Sequence, residues 1–117
     1  MYNKISNYNN GKIYIIKFIN KKDNHIYIGS TINNLKHRFS NHKSSRLFKR
    51  NKTSLSKYIE SKYNNNWNNC YIQLLLNFPC NSRKELEKKE FQIINKFYKN
   101  KNFKLLNING LYKNKKK

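Results

Sequence analysis

The period of apolar positions changes several times along the chain. Residues 13–19 form a β-branched and aromatic run, and residues 25–29 form a second. The polar stretch 20–24 between them predicts an antiparallel hairpin. Over residues 33–44 the period lengthens, placing Leu35, Phe39 and His42 on one side of a helix. Leu55, Ile59 and Tyr63 mark a second helix over 54–63. An Asn-rich loop, 64–69, leads to a third strand over 70–78, which Pro79 ends. The longest helix covers 82–98, with Ser82 as its N-cap. The order β-β-α-α-β-α predicts an α+β fold, with a small three-stranded, mainly antiparallel sheet flanked by helices.

Length then sets the domain count. At 117 residues the chain suits one unit with one modest core. Residues 1–10 read as a flexible N-terminal segment, 11–110 as the folded domain, and 111–117 as a basic disordered tail. The longest apolar run, near Tyr71 to Leu76, has the length of a strand and not of a membrane span. No signal peptide is legible in MYNKISNYNN, so the chain reads as intracellular. Cys70 and Cys80 form no CxxC pair, which argues for neutral thiols rather than a disulfide framework or a zinc site.

Charge changes the picture most. There are 26 Lys and Arg against 5 Asp and Glu, a formal net charge of +21. Coding bias towards A and T would also raise Lys and Asn, but a polyanion responds to the charge whatever its origin. With the membrane reading weak, nucleic acid is the expected partner.

The chemistry-bearing residues cluster in the hairpin and the helix after it. Side chains on a strand alternate between faces, so Tyr14 and Tyr27 can share one face of the hairpin. Arg38 and His42, four apart on the following helix, stack on one side of it. On the last helix Leu86, Ile93, Ile94 and Phe97 form an apolar arc, and Glu90 falls inside it. A carboxylate there needs a cation or hydrogen bonds. An internal arginine such as Arg38 would serve, and so would a metal ion.

These residues resemble the GIY-YIG nuclease superfamily. Lys12-Ile13-Tyr14 stands at the first motif and Tyr27-Ile28-Gly29 at the second. The Arg38 and His42 helix is similar to the family's arginine helix. Glu90-Phe91-Gln92-Ile93-Ile94 resembles its glutamate helix, and Leu106-Asn107 its closing element. Two departures are Lys12, in place of the first motif's glycine, and Ser30, where some members carry lysine. The resemblance implies a metal-dependent DNA endonuclease with a tyrosine-assisted water nucleophile. It implies catalytic roles for Tyr14, Tyr27, Arg38, His42, Glu90 and Asn107. Glu90 would hold one ion, Mg²⁺ or Mn²⁺. The protein would act wherever DNA lies, in a nucleoid, a nucleus or a viral replication site. Sequence specificity would be low, or would come from a protein partner, a separate module, or loops such as 45–53 and 64–69. The alternative is a non-catalytic nucleic-acid-binding module of the same fold.

Overall fold

The computed structural model describes residues 7–45 and 53–107. Residues 1–6, most of the 45–53 loop and all of the 111–117 tail lie outside the described residues. The part of the N-terminal segment that is described, Asn7–Asn10, forms a 3₁₀ turn.

The strands β1 (Lys12–Phe18) and β2 (His25–Thr31) form the anticipated antiparallel hairpin. Its register sets Tyr14 opposite Gly29 and Ile16 opposite Tyr27. The helices α1 (Leu35–Ser45) and α2 (Ser54–Tyr63) follow, then β3 (Cys70–Asn77) and α3 (Arg83–Tyr98). Ser82 caps α3, its side chain accepting from the Glu85 backbone N–H.

The sheet differs from the expectation of three strands. It has four, in the order β3-β1-β2-β4, and it is mixed. The added strand, β4 (Lys104–Leu105), runs parallel to β2 and pairs His25 with Lys104 and Ile26 with Leu105. Two residues are too few to show a period, so no local pattern announces this strand. Backbone bonds create it: Lys104 N donates to Asn24 O at 3.0 Å, and Leu106 N donates to Ile26 O at 2.8 Å.

β1 lies between β3 and β2 and is covered on both faces. That explains why its Ile13-Tyr14-Ile15-Ile16 run is continuously apolar and wholly buried. On one face Ile13, Ile15, Ile26 and Ile28 pack against Leu86 and Ile94 of α3. On the other, Tyr14, Ile16 and Phe18 pack against Leu55 and Ile59 of α2 and against Trp67. α1 adds Leu35 and Phe39 to this second face, so α1 and α3 serve opposite faces of the sheet.

Candidate active site

The outer edge of β2 is covered for part of its length. Ile26 is bonded by the β4 segment, and Ile28 by the Asn107 side chain, whose Oδ1 accepts from Ile28 N at 2.9 Å and whose Nδ2 donates to Ile28 O at 2.8 Å. By the alternation of a strand, Ser30 is the next residue turned to that edge. There a pocket of about 480 Å³ opens, lined among others by Tyr27, Gly29, Ser30, Arg38, Glu87 and Glu90. Asn107 thus closes the strand beside the pocket and does not line it.

Tyr14 does not line the pocket itself but lies against Gly29 and Arg38, which do. It comes from β1, and its ring lies across Gly29 on the neighbouring strand. A Cβ on Gly29 would stand 2.3 Å from the Tyr14 hydroxyl oxygen, so a side chain there would displace the phenol. Tyr14 is 0 % exposed, and two residues of α1 hold its hydroxyl. Arg38 Nε donates to Tyr14 Oη at 3.0 Å, and His42 Nε2 lies 2.7 Å from the same oxygen. The four-residue spacing on α1 is what lets both reach one atom.

Electrostatics set the charge states. Burial, and next the Arg38 charge, push His42 down to about 3, so its imidazole is neutral near neutral pH. In the tautomer that carries its proton on Nδ1, the neutral Nε2 accepts from the Tyr14 hydroxyl. Burial raises the Tyr14 phenol and outweighs the pull of Arg38, so the resting hydroxyl keeps its proton. Tyr27 is raised as well, first by burial and then by the Glu90 charge. Its ring meets the His42 ring edge-on, with centroids 5.4 Å apart.

Glu90 arrives from the opposite face of the sheet. Ser30 Oγ donates to its carboxylate. Burial, the largest influence, raises the Glu90 carboxyl against the lowering effects of Ser30 and Arg38. Arg38 shares the pocket, yet among the described residues Glu90 forms no ion pair. The arginine partner anticipated for an inward Glu90 is thus bonded to Tyr14 instead.

A hard divalent cation fits this donor set. Such ions take oxygen ligands and bind through one or two carboxylates, with water and phosphate completing the shell. Glu90 offers a desolvated carboxylate with one protein donor, and Ser30 orients it. No cluster of three or more His, Cys, Asp or Glu suited to a metal occurs among the described residues, and the acids that line the pocket are Glu87 and Glu90. Glu87, on the rim, is paired with Arg83 at 2.8 Å and is largely exposed.

Ser30 is the residue that sequence reasoning left without a role. The available signal was its position, immediately after the second motif and turned to the face that α3 covers. Lys12 is also clarified. Its Nζ donates to Asn10 O at 2.9 Å and to Asn33 O at 3.2 Å, along the surface. Close backbone approach occurs one residue earlier, where a Cβ on Gly11 would stand 2.4 Å from Phe78 O. The loop 64–69 buries its Trp67 in the core at 7 % exposure, beneath Phe39.

A family model described as the GIY-YIG catalytic domain matches residues 10–104. Comparisons with curated proteins and with solved structures found no match.

Proposed function

Because the chain belongs to the GIY-YIG nuclease superfamily, we propose that it is a metal-dependent DNA endonuclease. In this reading it hydrolyses phosphodiester bonds with a water nucleophile and one divalent ion, Mg²⁺ or Mn²⁺. One observation carries the reading. A guanidinium and a desolvated carboxylate line the same pocket without pairing with each other, so each is available to a ligand.

Arg38 binds the scissile phosphate through its remaining N–H groups and offsets charge that builds in the transition state. Glu90, held by Ser30, is the protein ligand for the ion, which when bound supplies Lewis-acid stabilisation of the leaving oxygen. The Tyr14 phenolate takes a proton from the attacking water, its own proton having passed to solvent, and His42 Nε2 holds the phenol oxygen in place. Arg38 Nε on the phenol oxygen eases formation of the phenolate by favouring negative charge there. Tyr27, which lines the pocket, orients water and phosphate. Asn107 acts at a distance, by fixing the backbone of Ile28 next to Gly29.

The net charge of +21 favours DNA as the polyanion, with the protein acting where DNA is kept. Specificity beyond the pocket rests with a partner protein or a further module. Among the described residues no helix is long and apolar enough to cross a membrane.

Incubation of the purified chain with supercoiled plasmid and Mg²⁺, beside a Glu90→Ala control, tests the reading. Nicking by the wild type alone supports it. Salt-sensitive binding with no cleavage by either protein would replace it with the non-catalytic module.

A further inference from the structure

A second, larger pocket lies towards the other end of β2. Its volume is about 1020 Å³, and it runs between α2 and the segment that contains β4. Lys57 projects into it from α2 and Lys104 from β4, with Tyr98 and Phe103 beside them. None of the described residues that line it is acidic. The nearby Asp23 side chain is only 4 % exposed and is bonded to His25, Tyr58 and Tyr63, so it does not present its charge. Tyr98 is 43 % exposed, although it closes the longest helix of the chain and a polar residue would be cheaper there.

The pocket thus joins flat aromatic surface to two lysines with no anion between them. Phosphate suits the lysines, and a nucleobase suits the rings, because every base has a π-face to stack. We propose that this pocket is a second nucleic-acid subsite, which takes an unpaired nucleotide of the bound strand. The base stacks on Tyr98 and Phe103, and its phosphate lies against Lys57 and Lys104. The proposal rests on the nuclease reading for the identity of the polyanion, but it concerns a different place. His25, at this pocket, and Ser30, at the first, are five strand residues apart, or roughly 17 Å. That corresponds to about five nucleotide steps along one strand of a duplex. The subsite therefore directs the enzyme to DNA that carries an unpaired base about that far from the cut.

The test is a fluorescence titration of the full chain with a single-stranded oligothymidylate carrying one 2-aminopurine, in the absence of divalent ions. Stacking on the rings quenches the probe in the wild type. Tyr98→Ala combined with Lys57→Ala should weaken binding roughly tenfold or more and remove the quench. Lys57→Ala alone should lower the slope of log K against log salt by about 1. Both side chains lie at the surface, so a melting curve like that of the wild type should accompany these losses. A double variant that binds and quenches like the wild type overturns the subsite, and it leaves the nuclease reading intact if the wild type still nicks plasmid. Quenching by a wild type that cuts no plasmid supports the subsite and removes the nuclease reading. A wild type that neither binds the probe nor cuts removes both.

Discussion

Each end of β2 carries a cluster of tyrosine, histidine and a charged group, and the two are built in opposite senses. At the start of the strand the charge is Asp23. It accepts from Tyr58 at 2.7 Å, from Tyr63 at 2.5 Å, and from the His25 backbone and ring at 3.0 and 2.9 Å. Burial alone would raise its carboxyl, but those hydrogen bonds outweigh burial and hold it at about 2. At the far end the carboxylate is Glu90. Among the described residues one donor, Ser30, serves it, burial prevails, and its carboxyl is raised. A carboxylate with a full set of donors is occupied in joining the hairpin turn to α2. A carboxylate with one donor retains lone pairs for a cation. The tyrosines follow suit. Tyr58 and Tyr63 give their protons to Asp23, and Tyr63 is raised to about 12 by burial and by that bond. Tyr14 instead accepts from Arg38 and lies 2.7 Å from the neutral His42 imidazole, so no carboxylate claims its hydroxyl.

The largest contrast is expected from the two phenols. Tyr14→Phe should lower the cleavage rate by roughly 10²–10⁴-fold, the usual contribution of general acid–base catalysis. It should also cost about 1–3 kcal/mol of stability, since it leaves His42 Nε2 and Arg38 Nε without their shared buried partner. Tyr63→Phe, by comparison, should lower stability and leave single-turnover cleavage near the wild-type rate. Equal rates for both variants would remove Tyr14 from the proton path.

Asp23→Asn should destabilise the chain by about 3 kcal/mol, because an amide cannot accept from all the donors that converge there. Urea unfolding would measure the loss. A midpoint unchanged from the wild type would mean that the four hydrogen bonds are not the joint between turn and helix.

Acid should separate the clusters in a single experiment. The His42 pKa in the folded chain, about 3, lies below its ordinary 6.5, so the unfolded state takes up that proton first. Stability should therefore fall as pH drops from about 6.5 towards 3. Asp23, at about 2 against an ordinary 3.8, contributes stability that is present above 3.8 and lost as pH falls through 2. Urea midpoints across this range should show both limbs, and His42→Gln should abolish the upper limb alone.

The smallest effect is expected at Lys12. Lys12→Gly restores the first motif, but it removes two exposed hydrogen bonds and adds backbone freedom, a cost of about 1 kcal/mol. Plasmid nicking should stay near the wild-type rate. A large gain in rate would show that a side chain at this position obstructs DNA.

Much of this geometry was legible in the sequence because it depends on local periods. The alternation of the hairpin put Tyr14 and Tyr27 on one face. The four-residue spacing put Arg38 and His42 on one side of α1, and a helical wheel turned Glu90 inward. What the sequence did not carry was long-range. β4 is two residues whose only reason to be a strand is the backbone of Asn24 and Ile26 across from it. Asn107 bonds both backbone groups of Ile28 from 79 residues away. Ser30 meets Glu90 only because α3 crosses the face to which Ser30 points. The wheel also could not say that Arg38 bonds Tyr14 rather than Glu90.

The most direct test sets Glu90→Gln against Asp23→Asn, each incubated with supercoiled plasmid and Mg²⁺ at a temperature where both are folded, with melting curves alongside. Glu90→Gln should melt at or above the wild-type temperature, since a desolvated charge is gone, and should cut nothing, because a neutral amide is a poor ligand for a hard cation. Asp23→Asn should melt lower and nick at the wild-type rate. A Glu90→Gln protein that melts low yet still nicks plasmid would contradict the account: Glu90 would then be the structural acid, and the ion would have to be held elsewhere.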